Sequence, residues 1–248
     1  MKYLTASFLL LFGLTQLTAQ QPYPHLKTFQ LPNEYCGDEP YFKIHYDENL
    51  ADIVNIKRNE LSKDHELYVS DYIEEYDIIT LKLRFNSNEL NGAYYLVFST
   101  GPSCDPGFYI IDSKTNETIG RTWGMEIYVP GSNSIYTSGH INSAFNKRRK
   151  YSFNGTKFEE VKPEFYYVGL KTKTLKPLTI YTTADLNAKL AQLPANYDVE
   201  VLVAQRNENY GSNSKYLVKT AVGLVGWAEI EAGPFVAIDV EGIKFLGD

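Results

Sequence analysis

Histidines and serines are the side chains of this sequence best suited to chemistry, and their spacing indicates no known reaction. No two histidines occur in His-Glu-x-x-His or another close metal-binding spacing. The histidines are His25, His45, His65 and His140. A serine nucleophile on a Gly-x-Ser-x-Gly turn is not present, and neither is a phosphate-binding glycine loop. The sequence therefore predicts no catalytic residue, no metal site and no cofactor.

Two cysteines, Cys36 and Cys104, could form a disulfide or supply a reactive thiol. Both lie beside turn-forming residues, in Cys36-Gly37-Asp38 and in Cys104-Asp105-Pro106. In an oxidising compartment an even pair of loop cysteines favours a structural disulfide. A reactive Cys104 is the alternative, but no flanking motif supplies the histidine or asparagine that it would need.

The first residues have the pattern of an export signal. Lys2 precedes the short apolar run Phe8–Leu14, and Leu17-Thr18-Ala19 is typical of a cleavage site. The run is shorter than the roughly 20 residues of a membrane span, and no second run approaches that length. We therefore expect residues 1–19 to be a signal peptide and the mature protein to be periplasmic or secreted.

The charge distribution restricts the partners. The net charge is −6, and residues 34–77 contain 13 acidic and 4 basic side chains. Such a surface repels nucleic acid and attracts basic proteins, unless it is an ordinary solvated face. The basic run Lys147–Lys150 could contact an anionic glycan or lipid head group, or form the exposed side of a turn and strand.

The composition and the apolar patterns predict that the chain consists mainly of strands. Twenty Tyr and thirteen Phe against two Met favour a pleated surface. Alternating or apolar runs predict strands at 41–46, 78–85, 93–98, 108–112, 118–120, 125–129, 134–137, 149–153, 157–161, 235–240 and 243–246. Asn154-Gly155 predicts a hairpin. Apolar spacing leaves helices open within 47–75 and 184–193. The N-terminal strands predict an antiparallel meander on one sheet or in a small barrel.

Five short segments near the C-terminus occur in the order found in bacterial SH3 domains. They are Leu178–Tyr181, Leu193–Ala195, Val199–Val203, Tyr216–Lys219 and the Gly-x-x-Gly-Trp segment Gly223–Trp227. Residues 170–232 thus resemble that family, which implies a small SH3-like barrel that binds ligands in the cell envelope. We expect an all-β protein with an acidic, antiparallel β-rich N-terminal domain (20–168) and an SH3-like barrel domain (169–248).

A looser similarity concerns the N-terminal domain. Val97-Phe98 before a Gly/Cys loop, Ile110–Thr115 and Lys150–Phe158 resemble small Gram-negative envelope domains. These domains include periplasmic inhibitors of invertebrate-type lysozyme. The similarity implies a fold of that kind.

Aromatic residues of the SH3-like segment are the candidate ligand contacts, because Tyr and Trp combine an apolar ring with a polar group. They are Tyr181, Tyr210, Tyr216 and Trp227, and Tyr197 is a further aromatic residue of the same segment. Tyr210 lies in a predicted loop tip and is the best single candidate. Trp227, at the end of a strand, is favoured as a core residue over a ligand contact.

Three functions are compatible with these features. The first is a secreted, non-catalytic binding protein of the Gram-negative envelope, whose SH3-like module binds peptidoglycan peptide or glycan, or another envelope protein. The second, from the acidic region and the looser similarity, is an inhibitor of a basic secreted hydrolase such as lysozyme. The third is a protein related to cell-wall peptidases, to which SH3-like modules are attached; it would require an accessible Cys104.

Overall fold

The computed structural model is all-β, with 58% strand, no helix and three sheets among the residues it describes. It describes residues 23, 25–30, 42–56, 78–86, 91–99, 105–207 and 214–247. The strands are β1 Lys27–Gln30, β2 Lys43–Tyr46, β3 Ala51–Ile56, β4 Ile78–Asn86, β5 Asn91–Ser99, β6 Gly107–Asp112, β7 Thr118–Trp123, β8 Glu126–Val129, β9 Ser134–Gly139, β10 Lys147–Phe153, β11 Phe158–Val161, β12 Phe165–Lys173, β13 Leu178–Tyr181, β14 Lys189–Leu193, β15 Asp198–Gln205, β16 Ser214–Thr220 and β17 Val225–Ile230.

The N-terminal strands form two sheets rather than one. The first sheet has the order β1-β2-β8-β9-β10-β11, and the second is a meander from β3 to β7. The prediction of a meander on one sheet or in a small barrel was therefore wrong, because the strands divide between two sheets and the described residues form no closed barrel. All pairs of these described strands are antiparallel except β2 and β8, which run parallel; the second sheet forms the long crossover connection that a parallel pair requires. The segment 51–56, left open as a helix, is strand β3.

One apolar core holds the first two sheets together. Ile44 and Ile127 of the first sheet and Leu96 and Ile110 of the second have no exposed surface and belong to the same cluster. Burial alternates along β8, so every second side chain faces this core and the others face outward. The predicted hairpin is confirmed: Phe153 pairs with Phe158, and Gly155 has a φ of 99°.

The C-terminal sheet has the order β12-β15-β16-β17-β13-β14, with antiparallel pairs. Ile180, Val201, Val218 and Ala228 from four of its strands are fully buried in a second core. Among the described residues no pairing joins the two edge strands, β12 and β14, into a closed barrel. The all-β class is thus confirmed, and the SH3-like barrel stays a prediction.

Two local predictions in this half were wrong. No helix forms within 184–193, because Leu186 has a φ of 62°, which a right-handed helix cannot contain, and 189–193 is β14. The last segments, 235–240 and 243–246, do not pair with each other as strands. A backbone hydrogen bond runs from the Phe235 N–H to the Phe245 carbonyl at 2.8 Å, and isolated bridges connect Thr174 with Val240 and Ser143 with Leu246.

Contacts between the halves centre on β10, β12 and the C-terminal segment 231–247. The predicted boundary after Val168 falls within β12, which pairs with β15 from Phe165 to Lys173 with one register shift between Tyr167 and Leu170. Lys147 on β10 lies 4.1 Å from the centre of the Tyr166 ring on β12. A ring nitrogen of His140 is hydrogen bonded to the Lys244 carbonyl at 2.8 Å. The first and third sheets therefore meet along these elements.

Candidate functional site

The Gly-x-x-Gly-Trp segment places Trp227 through two glycines with different roles. Gly223 has a φ of 88° in the turn where its N–H donates to the Thr220 carbonyl at 2.9 Å. At Gly226 a Cβ atom would lie 2.9 Å from the Tyr181 carbonyl oxygen, so only glycine allows β13 to approach β17 this closely. Trp227 consequently pairs with Tyr181 across these strands.

A row of five side chains crosses the outer face of the C-terminal sheet. Strand pairing joins its members in sequence, each opposite the next on the neighbouring strand. The outer aromatic row, as we call it, consists of Tyr167, Val203, Leu217, Trp227 and Tyr181. Tyr167 is 57% exposed, and the other four are partly exposed. The row is therefore a continuous apolar strip, open to solvent, with an aromatic side chain at both ends.

Phe165 extends this surface. Its ring centre lies 5.8 Å from that of Trp227, with the planes tilted by 42°, and the side chain is 40% exposed. That distance and tilt are typical of a favourable aromatic pair. Neither Phe165 nor Tyr167 was predicted as a contact, although their alternation with buried Tyr166 and Val168 gave a period-two signal. The identity of the outward face could not be read from the period alone.

A cation lies at one end of the row. The Arg148 guanidinium carbon is 5.1 Å from the centre of the Tyr167 ring, within cation–π range. Arg148 belongs to the predicted basic run, which strand alternation divides between two faces. Arg149 points inward, with its Nε 4.0 Å from Glu160, whereas Arg148 and Lys150 are exposed. The run is therefore not a single basic patch.

The predicted contact residues that the structure describes differ in their exposure to solvent. Tyr181 and Trp227 lie side by side on the surface, and Trp227 is partly exposed rather than enclosed in the core. Tyr216 points to the opposite face and is 1% exposed, so its ring is unavailable to a ligand, and burial raises the pKa of its hydroxyl. Tyr210, Cys36 and Cys104 lie outside the described residues, as do the predicted signal peptide and most of the acidic region.

The first sheet carries a second aromatic group on its outer face. His45 stacks on Tyr128 with ring centres 4.2 Å apart, and its Nδ1 is hydrogen bonded to Thr28 Oγ1 at 2.8 Å. The ring centres of Tyr23 and Tyr128 are 6.4 Å apart, with the planes tilted by 43°. Burial lowers the pKa of His45, partly opposed by the charge of Glu126. The ring is therefore neutral near pH 7 and packs within this group.

Other functional features are few in the part of the chain that the structure describes. No three His, Cys, Asp or Glu side chains there converge as a metal site requires. No helix in those residues is long and apolar enough to cross a membrane. Comparison with known proteins gave no match, whether with a family model, a curated protein or a solved structure. The outer aromatic row is accordingly the candidate site.

Proposed function

We propose that this protein is an exported, non-catalytic binding protein of the Gram-negative cell envelope, and that its SH3-like C-terminal module binds peptidoglycan. The outer aromatic row is the observation that carries the proposal. Tyr and Trp rings stack on the apolar faces of sugars and peptides while their polar groups form hydrogen bonds. A sheet built only for stability would not need such rings on its solvent face.

The sequence order of the C-terminal strands supports the SH3-like assignment. The Gly223 turn joins β16 to β17, and Gly226 allows β17 to meet β13, so the segments that resemble the family lie on neighbouring strands. Trp227 of the family motif is a member of the row.

The position of Arg148 suits an acidic wall polymer. Its guanidinium next to Tyr167 offers a positive charge at the end of an apolar strip, which matches a ligand with both a sugar face and carboxylates. This contact also involves the N-terminal half in the proposed site, because Arg148 belongs to β10. We propose that glycan lies along the row and that a carboxylate of a muramyl residue without attached peptide approaches Arg148.

Sedimentation with purified peptidoglycan sacculi tests the proposal. We expect the full mature protein to sediment with sacculi and the Trp227→Ala and Tyr167→Ala variants to bind about tenfold more weakly or worse, as for interface residues of this type. Phe235→Ala is the matched control, since Phe235 is 61% exposed but lies off the row. Equal retention of all three variants, or no retention of the unmodified protein, would refute the proposal.

A further inference from the structure

A charged groove lies beside the outer aromatic row at the end of the C-terminal sheet. Its volume is about 560 Å³. Its charged lining consists of Lys171, Lys173, Lys219, Asp198, Glu200 and Glu241. Lys219 lies two residues along β16 from Leu217, a member of the row, so the two side chains share one face of the sheet. The formal charges of these six side chains sum to zero.

The sign of the charge alternates from strand to strand across the groove. Lys171 and Lys173 on β12 lie opposite Glu200 and Asp198 on β15, and Glu200 lies opposite Lys219 on β16. Neighbouring strands are about 4.8 Å apart. The positive side chains of one strand and the negative side chains of the next are therefore about 5 Å apart.

Glu241 adds a further negative charge along β12. Its backbone is fixed there by two hydrogen bonds: its N–H donates to the Lys173 carbonyl at 2.9 Å, and its own carbonyl accepts from Thr172 Oγ1 at 2.8 Å. The C-terminal segment thus completes the alternating pattern at the edge of the sheet. Among the described residues, Lys171 and Glu241 have no ion-pair partner.

The ion pairs within the groove can exchange one partner for a charged group of a ligand. Lys219 Nζ lies 3.3 Å from Glu200 and Lys173 Nζ lies 3.9 Å from Asp198, and the two lysine side chains are about half exposed. Exposed pairs of this kind contribute little to stability, since water competes for both charges. A ligand with both signs of charge can replace one partner of each pair without leaving any charge uncompensated. A ligand with charges of only one sign would leave the displaced partner of each pair without a counter-charge.

We propose that this groove binds zwitterionic peptide, meaning a short peptide that carries ammonium and carboxylate groups within about one strand spacing of each other. This inference rests on the proposed function for the source of the peptide, namely the peptide part of peptidoglycan. The row then holds the sugar and the groove holds the peptide.

Calorimetric titration of the full mature protein with the soluble tripeptide alanyl-γ-glutamyl-diaminopimelate tests the groove directly. At low salt we expect Lys171→Gln and Glu200→Gln each to weaken binding by about threefold to fivefold, the range for single exposed charge pairs. We expect Lys114→Gln, in an exposed turn of the N-terminal half, to bind as the unmodified protein does. The N-acetylated, amidated tripeptide should bind much more weakly. Added salt should lower the affinity for the unmodified tripeptide, because it screens the charges.

The outcomes separate this inference from the proposed function. If the tripeptide does not bind, or binds equally well after its charges are blocked, the groove inference is overturned even where sacculi sediment normally. If the tripeptide binds with the expected loss in both groove variants but sacculi do not sediment with the protein, the groove inference holds and the proposed function fails. Trp227→Ala should lower retention on sacculi and leave the affinity for the tripeptide unchanged.

Discussion

Replacing Gly226 by alanine tests the close approach of β17 to β13. The added Cβ would lie 2.9 Å from the Tyr181 carbonyl oxygen and 3.1 Å from the Ile180 Cβ. Both contacts are shorter than ordinary van der Waals separations, and the nearer one is to backbone, which a side-chain rotation cannot relieve. The strands must therefore separate, and Tyr181 and Trp227 must move with them.

The size of the effect follows from two opposing contributions. Overpacking of this kind costs about 1–3 kcal/mol. Replacing a strand glycine by alanine recovers about 0.5–1 kcal/mol, because glycine loses more backbone entropy on folding. We therefore expect Gly226→Ala to lower the free energy of unfolding by about 0.5–2 kcal/mol and Tm by about 1–8 °C for a chain of this size.

Gly223→Ala is the matched control from the same motif. No atom lies within 4 Å of a Cβ at Gly223, but its φ of 88° strains any other residue by about 1 kcal/mol. Both variants should thus lose stability, whereas only Gly226→Ala should displace the ring of Trp227. Thermal unfolding measures the first effect, and the indole N–H resonance of Trp227 in an amide NMR spectrum measures the second.

Two outcomes would contradict this account of Gly226. If Gly226→Ala melts at the temperature of the unmodified protein and leaves the Trp227 indole resonance in place, β13 does not approach β17 as described. If Gly223→Ala shifts that resonance as much as Gly226→Ala does, the displacement comes from the turn and not from the strand contact. In either case the assembly of the outer aromatic row would need another explanation.

Three further predictions concern other parts of the chain. Glu160→Gln should lower the free energy of unfolding in urea by about 1–3 kcal/mol, because it leaves the charge of Arg149, whose side chain is 5% exposed, without its carboxylate; an unchanged urea midpoint would contradict this. Burial lowers the pKa of His140 from 6.5. As the pH falls, the unfolded state therefore binds a proton at this histidine before the folded state does. Stability should therefore be complete above pH 6.5 and fall below it, and His140→Gln should reduce that pH dependence in urea titrations. In the denatured protein we expect no free thiol before reduction and two after it, from Cys36 and Cys104; a thiol before reduction would exclude the disulfide.

Local patterns predicted the elements of this fold well. Strands such as β8 and β10 show alternation within a few residues, and Asn154-Gly155 marks its hairpin by backbone preference alone. The parallel pair of β2 and β8 could not be predicted this way, because its partners are about 80 residues apart and nothing in either strand identifies the other.

The candidate site was predictable only in part for the same reason. The motif identified Trp227 and Tyr181, but the other members of the row depend on the register of three further strand pairs. Tyr216 illustrates the problem: it lies one residue from Leu217, and that single step moves its ring from the outer face into the core. Sequence types alone do not determine which face a residue of this sheet occupies.

The course of β12 has a consequence for dissecting the protein into fragments. A cut after Val168, where composition suggests a boundary, would divide this strand and remove Tyr166 and Val168 from the C-terminal piece. A fragment that starts ahead of Phe165 keeps the sheet but still loses the contact between Lys147 and the Tyr166 ring. Limited proteolysis of the intact chain should accordingly spare residues 165–173, and the two halves are best expressed and crystallised together.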